Sequence, residues 1–364
     1  MLIRPEIHEF KTFAEFTAEF ELNENDIILT NAFIYEPLNA NLPCKVIYQE
    51  NFGGGEPSDV MVQSIMNEAK KYDCSRVIAL GGGTVIDIAK ILVLGGCDEI
   101  YELYDNVDKL TKDKELVIIP TTCGTGSEVT NLSIVNLQKL GVKKGLASPC
   151  MYPDSAVLIP EFIRTLPYGV FAASSIDALI HAIEAYLNPR ATAYSDIFAV
   201  EAIKILVSSY MYIRSEGKES YIERGDAFLR ASNYAGIAFS NSGCATIHAM
   251  SYAFGGKYHV AHGESNYQFL SCVLGLYKKR EPQGKIAQLQ ELLGTLLDED
   301  DAIGGLDALL EAILPQKRMS EYGAQEADID IFAEATFENQ QRLLTGSYVP
   351  LALSEVRALF AERL

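Results

Sequence analysis

The sequence predicts an α/β domain with a mostly parallel sheet over residues 1–162, followed by an all-helical domain over residues 163–364. Three observations lead there. Short β-rich runs alternate with helical stretches in the first half, glycine-rich turns follow two of those runs, and β-branched clusters thin out after Pro160. Asp26-Ile27-Ile28-Leu29-Thr30-Asn31 and Lys45-Val46-Ile47-Tyr48 read as strands buried on both faces, as parallel strands are. Pro57-Ser58-Asp59 opens a helix that runs to about Tyr72, with proline tolerated in its first turn. Arg76-Val77-Ile78-Ala79-Leu80 is the next strand, and it leads straight into Gly81-Gly82-Gly83-Thr84 and a helix from Val85 to Leu94. Leu116-Val117-Ile118-Ile119-Pro120 ends in the loop Thr121-Thr122-Cys123-Gly124-Thr125-Gly126-Ser127-Glu128, and Ala156 to Pro160 reads as a last strand. Beyond it, helical periodicity covers 195–212, 223–239, 286–297 and 329–344.

Composition narrows the partners. With 49 acidic and 30 basic residues the formal charge is −19, which argues against nucleic acid and anionic membrane surfaces because both repel it. The seven cysteines are scattered and never spaced as CxxC, so neither a disulfide framework nor a thiolate zinc knot is expected, and a reducing cytoplasm fits. No signal peptide is visible at the N-terminus, and no apolar run reads as long enough to span a bilayer. A homodimer is the default assembly.

Glycines between a strand and a helix let backbone N–H groups approach a pyrophosphate, whose charge the helix N-terminus favours. Gly81, Gly82, Gly83 and Thr84 sit in that context, although a glycine run alone also fits a tight turn. The Thr121–Glu128 loop adds hydroxyls and free amides after a second strand, at the carboxyl edge where α/β ligands bind. Together they point to a dinucleotide. Asn31, at the end of its strand, is placed to meet an adenosine ribose.

In Ile176-Asp177-Ala178-Leu179-Ile180-His181-Ala182-Ile183-Glu184, Asp177 and His181 lie four apart and so share one helix face. His248 and His262 follow, flanking Gly255-Gly256-Lys257, with His259 between them. One aspartate and three histidines make a full ligand set for a divalent transition metal. The plainer alternative makes Asp177 a charge at a helix N-terminus and the histidines ordinary polar residues.

Four stretches, GGGTVIDIAK (81–90), PTTCGTGSEVT (120–130), DALIHAIEAY (177–186) and GCATIHAM with GGKYHVAHGESN (243–266), resemble the iron-containing, or group III, alcohol dehydrogenases. The likeness runs nearly end to end. Within that family LTNAFIYEP, GEPSD, ASNYAGIAF and QQRLL resemble a branch acting on a short ω-hydroxy acid. The resemblance implies a Rossmann-like coenzyme domain and a helical metal domain, the architecture also found in dehydroquinate synthase. It implies NAD with a divalent metal, iron(II) by expectation and zinc(II) as the other choice, held by Asp177, His181, His248 and His262. It assigns coenzyme contacts to Gly81, Gly82, Gly83, Thr84, Asp87, Thr121, Thr122, Thr125 and Thr130, and places Lys143 near the nicotinamide.

Departures from the family pattern bear on chemistry. Tyr252 stands where many members have a histidine, Ala261 replaces a proline before the last metal histidine, and Asn31 replaces an aspartate that favours NAD over NADP. His259 and Tyr252 are therefore both candidates for relaying the alcohol proton. The expected reaction is hydride transfer between a primary alcohol and a nicotinamide coenzyme, with a metal acting as Lewis acid. A substrate carboxylate would need a local cation in so acidic a protein, and Lys257 and Arg342 are the basic residues nearest the metal motifs. A dehydroquinate synthase-like lyase and a coenzyme-free metal hydrolase remain as alternatives, beside another primary-alcohol or diol dehydrogenase of the same family. The scarcity of basic residues near the metal motifs weighs against the first, and the glycine–threonine loops against the second.

Overall fold

The structure, a computed structural model, describes all 364 residues. They fold into two compact units. One is Leu2–Thr122 with Ser127–Leu166; the other is Met1, Cys123–Gly126 and Pro167–Leu364.

The first unit is built on six strands, β1 (Glu6–Glu9), β2 (Asp26–Thr30), β3 (Lys45–Tyr48), β4 (Arg76–Gly81), β5 (Glu115–Pro120) and, after a hairpin, β8 (Ser155–Leu158). They pair in the order β1-β8-β5-β4-β2-β3, and every pairing is parallel. Alternate residues of the central strands point to opposite faces, and both faces are covered. Ile27, Leu29, Val77, Ala79, Leu116 and Ile118 pack with Met61, Val62 and Ile65 of helix α2 (Asp59–Ala69) and with Val85, Ile86 and Ala89 of α3 (Gly83–Leu92). Ile28, Ile78, Leu80, Val117 and Ile119 pack with Phe162 and with Phe13 and Phe16 of α1 (Phe13–Glu19). Each Val, Leu, Ile, Met or Phe side chain so buried contributes ~1.5–3 kcal/mol. Helix α2 starts two residues after Pro57, because Ser58 is its cap and accepts from Met61 N at 3.2 Å.

The sequence reading did not include β1, nor the antiparallel hairpin of β6 (Leu132–Leu137) and β7 (Val142–Ala147). Both lack the apolar run that marks a central strand. Three of the four β1 residues are exposed, and β7 carries Lys143 and Lys144 on an open edge.

The second unit centres on α4 (Tyr168–Leu187), which packs on α5 (Ala193–Glu216), α6 (Gly225–Ser242) and, beyond α7 (Thr246–Tyr258), on α8 (His262–Tyr267). Helices α9 to α14 follow at Leu270–Arg280, Lys285–Leu297, Ala302–Ile313, Glu326–Asn339, Gln341–Leu344 and Leu353–Arg363. The single helix expected over 329–344 breaks at Gln340. One expectation needs correcting: α4 is long and apolar enough, by length and composition, to cross a membrane. Within the fold 83% of that window is buried, as a helix apolar all round must be at the centre of a bundle. Asp177 lies ten positions into α4, so it is not an N-terminal helix charge.

Candidate functional site

The metal constellation assembles inside the helical unit. Asp177 and His181 face the same way from consecutive turns of α4, His248 comes from the first turn of α7, and His262 begins α8. Each offers one ligand atom, and those atoms lie within 4.8 Å of one another. Gly263 lets α8 approach this closely, since a Cβ there would stand 2.0 Å from the Ala173 carbonyl oxygen.

Hydrogen bonds fix how the imidazoles point. The Gly124 carbonyl lies 3.3 Å from His181 Nδ1 and can only accept, so Nδ1 carries the proton. The Glu184 carboxylate does the same for His248, accepting from Nδ1 at 2.6 Å. The two Nε2 atoms then face each other 2.9 Å apart, with Asp177 Oδ1 3.7 Å from that of His248 and 3.9 Å from that of His262. Donors around a tetrahedral metal with ~2.0–2.1 Å bonds lie roughly 3.4 Å apart. Lone pairs converging at that spacing fit a single cation, and three nitrogens with one carboxylate suit iron(II) or zinc(II). Without a cation, burial depresses the pKa of His181 to about 3. Burial also works against the His248 imidazolium, but Cys244 and the Glu184 carboxylate beside it outweigh that and raise its pKa. Burial pushes the Asp177 carboxyl up; the three histidines and Asn266, which donates to Oδ1 at 2.7 Å, more than offset it.

Glu184 is a site residue the sequence reading passed over. Besides His248 it accepts from Ala245 N at 3.0 Å and Ile247 N at 2.6 Å, so one buried carboxylate both orients a histidine and caps the start of α7. Its spacing, three residues after His181 and outside the apolar pattern, was the available signal. Tyr252, one turn after His248, brings its ring to 5.9 Å from that of His262, and burial raises its phenol pKa. His259 stands exposed at the end of α7 in the left-handed region (φ 53°), with no ring contact to the cluster. Lys257 is ion-paired with Asp328. Arg342, exposed and without an ion pair, sits on α13, which packs on α7, and its charge reaches Tyr252.

The residues expected to meet the coenzyme, Thr125 apart, belong to the α/β unit, and the two loops among them follow the carboxyl ends of β4 and β5. Gly82 caps α3 without a side chain, leaving the first amides of a ten-residue helix open to an anion. Gly81 must be glycine because a Cβ would lie 2.6 Å from Val85 Cβ. Thr121 N donates to Gly81 O at 3.1 Å, and a Cβ on Gly82 would meet the Thr122 side chain at 3.5 Å, so the two loops are neighbours. Thr84 donates to Gly55 O at 3.1 Å, and next to Gly55 the Glu56 carboxylate pairs with Lys143. This open, amide-lined turn fits a dinucleotide diphosphate.

Two expected coenzyme contacts are turned inward. Asp87 accepts from Ile134 N at 2.8 Å and from Ser127 Oγ at 3.3 Å; Thr130 donates to Ser127 O at 3.3 Å and accepts from Lys90 Nζ at 2.8 Å. Thr125 belongs to the 123–126 segment of the helical unit. Lys90, absent from the sequence reading, is fully buried and donates also to Ser127 Oγ at 2.6 Å and Leu132 O at 2.9 Å. It pins the end of the threonine loop to α3.

Residues 8–160 match the model of the iron-containing alcohol dehydrogenase family, and residues 171–364 that of the Fe-containing alcohol dehydrogenase family's C-terminal part. The chain is 44% identical over 358 residues to 4-hydroxybutyrate dehydrogenase of Clostridium kluyveri, covering 97% of this chain and 96% of that one. It is 32% identical over 304 residues to long-chain-alcohol dehydrogenase 1 of Geobacillus thermodenitrificans, covering 80% and 74%. Sulfoacetaldehyde reductase from Bifidobacterium kashiwanohense, crystallised in complex with NAD+, superposes with a TM-score of 0.86 at 21% identity, covering 100% and 97%, which shows a shared fold. Two family models spanning both units, and a relative at 44% identity over nearly its full length, make this chain a member of the iron-containing alcohol dehydrogenase family.

Proposed function

We propose that the protein is a metal- and NAD-dependent dehydrogenase that interconverts 4-hydroxybutyrate and succinate semialdehyde. The observation that carries the chemistry is the convergence of Asp177, His181, His248 and His262 on one point, in a chain that also holds an uncapped, glycine-started helix for a dinucleotide. The substrate rests on the relative from Clostridium kluyveri.

A bound metal would supply Lewis acidity toward an alcohol oxygen, and a bound nicotinamide coenzyme would supply the hydride acceptor. The chain's own residues do the rest. Asp177, His181, His248 and His262 hold the metal, while Glu184 and the Gly124 carbonyl keep two imidazoles in the tautomer that presents Nε2. The His262 side chain, 37% exposed, is the most open of the four and marks the side from which an alcohol arrives. Tyr252 beside it stays protonated at neutral pH and is the nearer proton-relay candidate; His259, at solvent, is the other. For the substrate carboxylate the support favours Arg342 over Lys257, because Asp328 already engages Lys257. The seven free cysteines are consistent with a cytoplasmic setting, and a homodimer is the assembly we assign.

Initial rates of the iron(II)-reconstituted enzyme on 4-hydroxybutyrate and on 1-butanol test this reading. The wild type should prefer the hydroxy acid. Arg342→Met should raise its KM by ~10- to 100-fold, the loss of a charge-assisted hydrogen bond, and leave 1-butanol turnover nearly unchanged. A wild-type preference for 1-butanol would overturn the substrate assignment, and equal losses on both substrates would remove Arg342 from the carboxylate site.

A further inference from the structure

Asn31 stands where a carboxylate would discriminate against a 2′-phosphate, yet the structure places a carboxylate beside it from another strand. Glu50, two residues past the end of β3, accepts from Asn31 Nδ2 at 2.8 Å through one oxygen and from Ala32 N at 2.6 Å through the other. Strands β2 and β3 are parallel neighbours, with Thr30 opposite Tyr48, so their following residues meet at the same sheet edge as Gly81 and Thr121.

The orientation of the Asn31 amide is settled by its surroundings. Its NH2 lies between Glu50 Oε2 and Gln49 Oε1, the latter at 3.1 Å. Gln49 has its own NH2 committed to Gly53 O at 2.7 Å, so its oxygen must face Asn31. Both donors of Asn31 are thereby used. What Asn31 and Glu50 have left to offer is acceptors: the Asn31 carbonyl oxygen and the remaining lone pairs of an exposed carboxylate. No lysine or arginine is bonded to either residue. An acceptor-only rim of net negative charge suits the two hydroxyls of an unmodified ribose, which donate. It opposes a 2′-phosphate, which has only acceptors and carries the same sign of charge.

We propose that Glu50, held by Asn31, is the specificity-determining residue that makes the enzyme prefer NAD(H) to NADP(H). The inference rests on the coenzyme reading above and adds the residue that selects between the two forms. Asn31 serves as the positioning residue: its amide fixes the Glu50 carboxylate and is itself fixed by Gln49.

The test is fluorescence titration of the metal-loaded protein with NADH and with NADPH, for wild type and Glu50→Gln, with kcat/KM for both coenzymes alongside. The wild type should bind NADH more tightly. Glu50→Gln removes the charge and keeps the shape, so NADPH binding should tighten and NADH binding weaken, moving the affinity ratio by on the order of 10- to 100-fold. Asn31→Asp, which sets a second carboxylate against Glu50 and discards both donors, should weaken both coenzymes. Glu50→Ala serves as a second neutral variant, and its ratio should move in the same direction. A role in local stability alone would change both affinities together. An unchanged ratio in Glu50→Gln and Glu50→Ala overturns the inference, whereas a wild type that binds neither coenzyme overturns the coenzyme reading itself.

Discussion

Glu184 touches neither a metal nor a substrate in its own right, yet its loss should be felt at the metal. Its carboxylate accepts from Ala245 N, Ile247 N and His248 Nδ1 at 3.0, 2.6 and 2.6 Å, and the residue is 3% exposed. Glu184→Gln replaces one acceptor oxygen with an NH2 group, which must then face a donor. One buried N–H loses its partner, and the new NH2 is itself poorly satisfied. At ~1–3 kcal/mol for each unmet buried polar group, the cost is about 2–6 kcal/mol. For a helical unit of roughly 200 residues that lowers the melting temperature by ~5–20 °C. The effect on metal is separate. The amide either leaves His248 Nδ1 on a neutral, weaker acceptor or turns its NH2 toward Nδ1, so the tautomer that presents Nε2 is held less firmly, and weakening such an outer partner lowers metal affinity ~10- to 100-fold. Chelator competition gives that affinity, and calorimetry gives the melting temperature. A double-mutant cycle makes the argument specific, because in a His248→Ala background Glu184→Gln should change metal affinity hardly at all. A Glu184→Gln protein that holds metal as tightly as wild type would refute the positioning role, whatever its melting temperature.

Two further outcomes follow from buried groups. Burial lowers the Lys90 pKa from 10.5 to about 8. Between those values the unfolded chain binds the extra proton, so stability rises with pH in that window and is flat on either side. Wild type should therefore gain up to about 3 kcal/mol relative to Lys90→Met from pH 8 to 10.5 in urea melts; a difference that stays constant or shrinks contradicts this. Gly263→Ala places a methyl group 2.0 Å from a backbone oxygen that cannot swing aside, pushing α8 off α4. A cost of ~1–3 kcal/mol and a loss of bound metal through displaced His262 are expected, and elemental analysis showing full metal content would contradict the packing argument.

The parts of this protein legible in the chain are those whose physics is local. Val77, Ile78, Ala79 and Leu80 announce a central parallel strand because both of its faces are buried, and the glycines after it announce a turn that a side chain would block. Asp177 and His181 share a face because a helix turns every 3.6 residues, which no tertiary contact needs to establish. Nothing in those patterns says that His248 and His262 close on the same point; the residue types offered that grouping beside a plainer alternative, the resemblance favoured it, and the packing of α7 and α8 beside α4 brings it about. The residues missed in the chain share one physical property. Glu50 meets Asn31 across a sequence separation of 19, beyond what helix periodicity or strand alternation connects, Lys90 meets Ser127 across 37, and Glu184 meets His248 across 64. A charged residue in a sequence reads as surface until its partners are known. Where the fold delivers three oxygens to Lys90, or three N–H groups to Glu184, burial of the charge becomes tolerable, and only the tertiary structure makes that delivery.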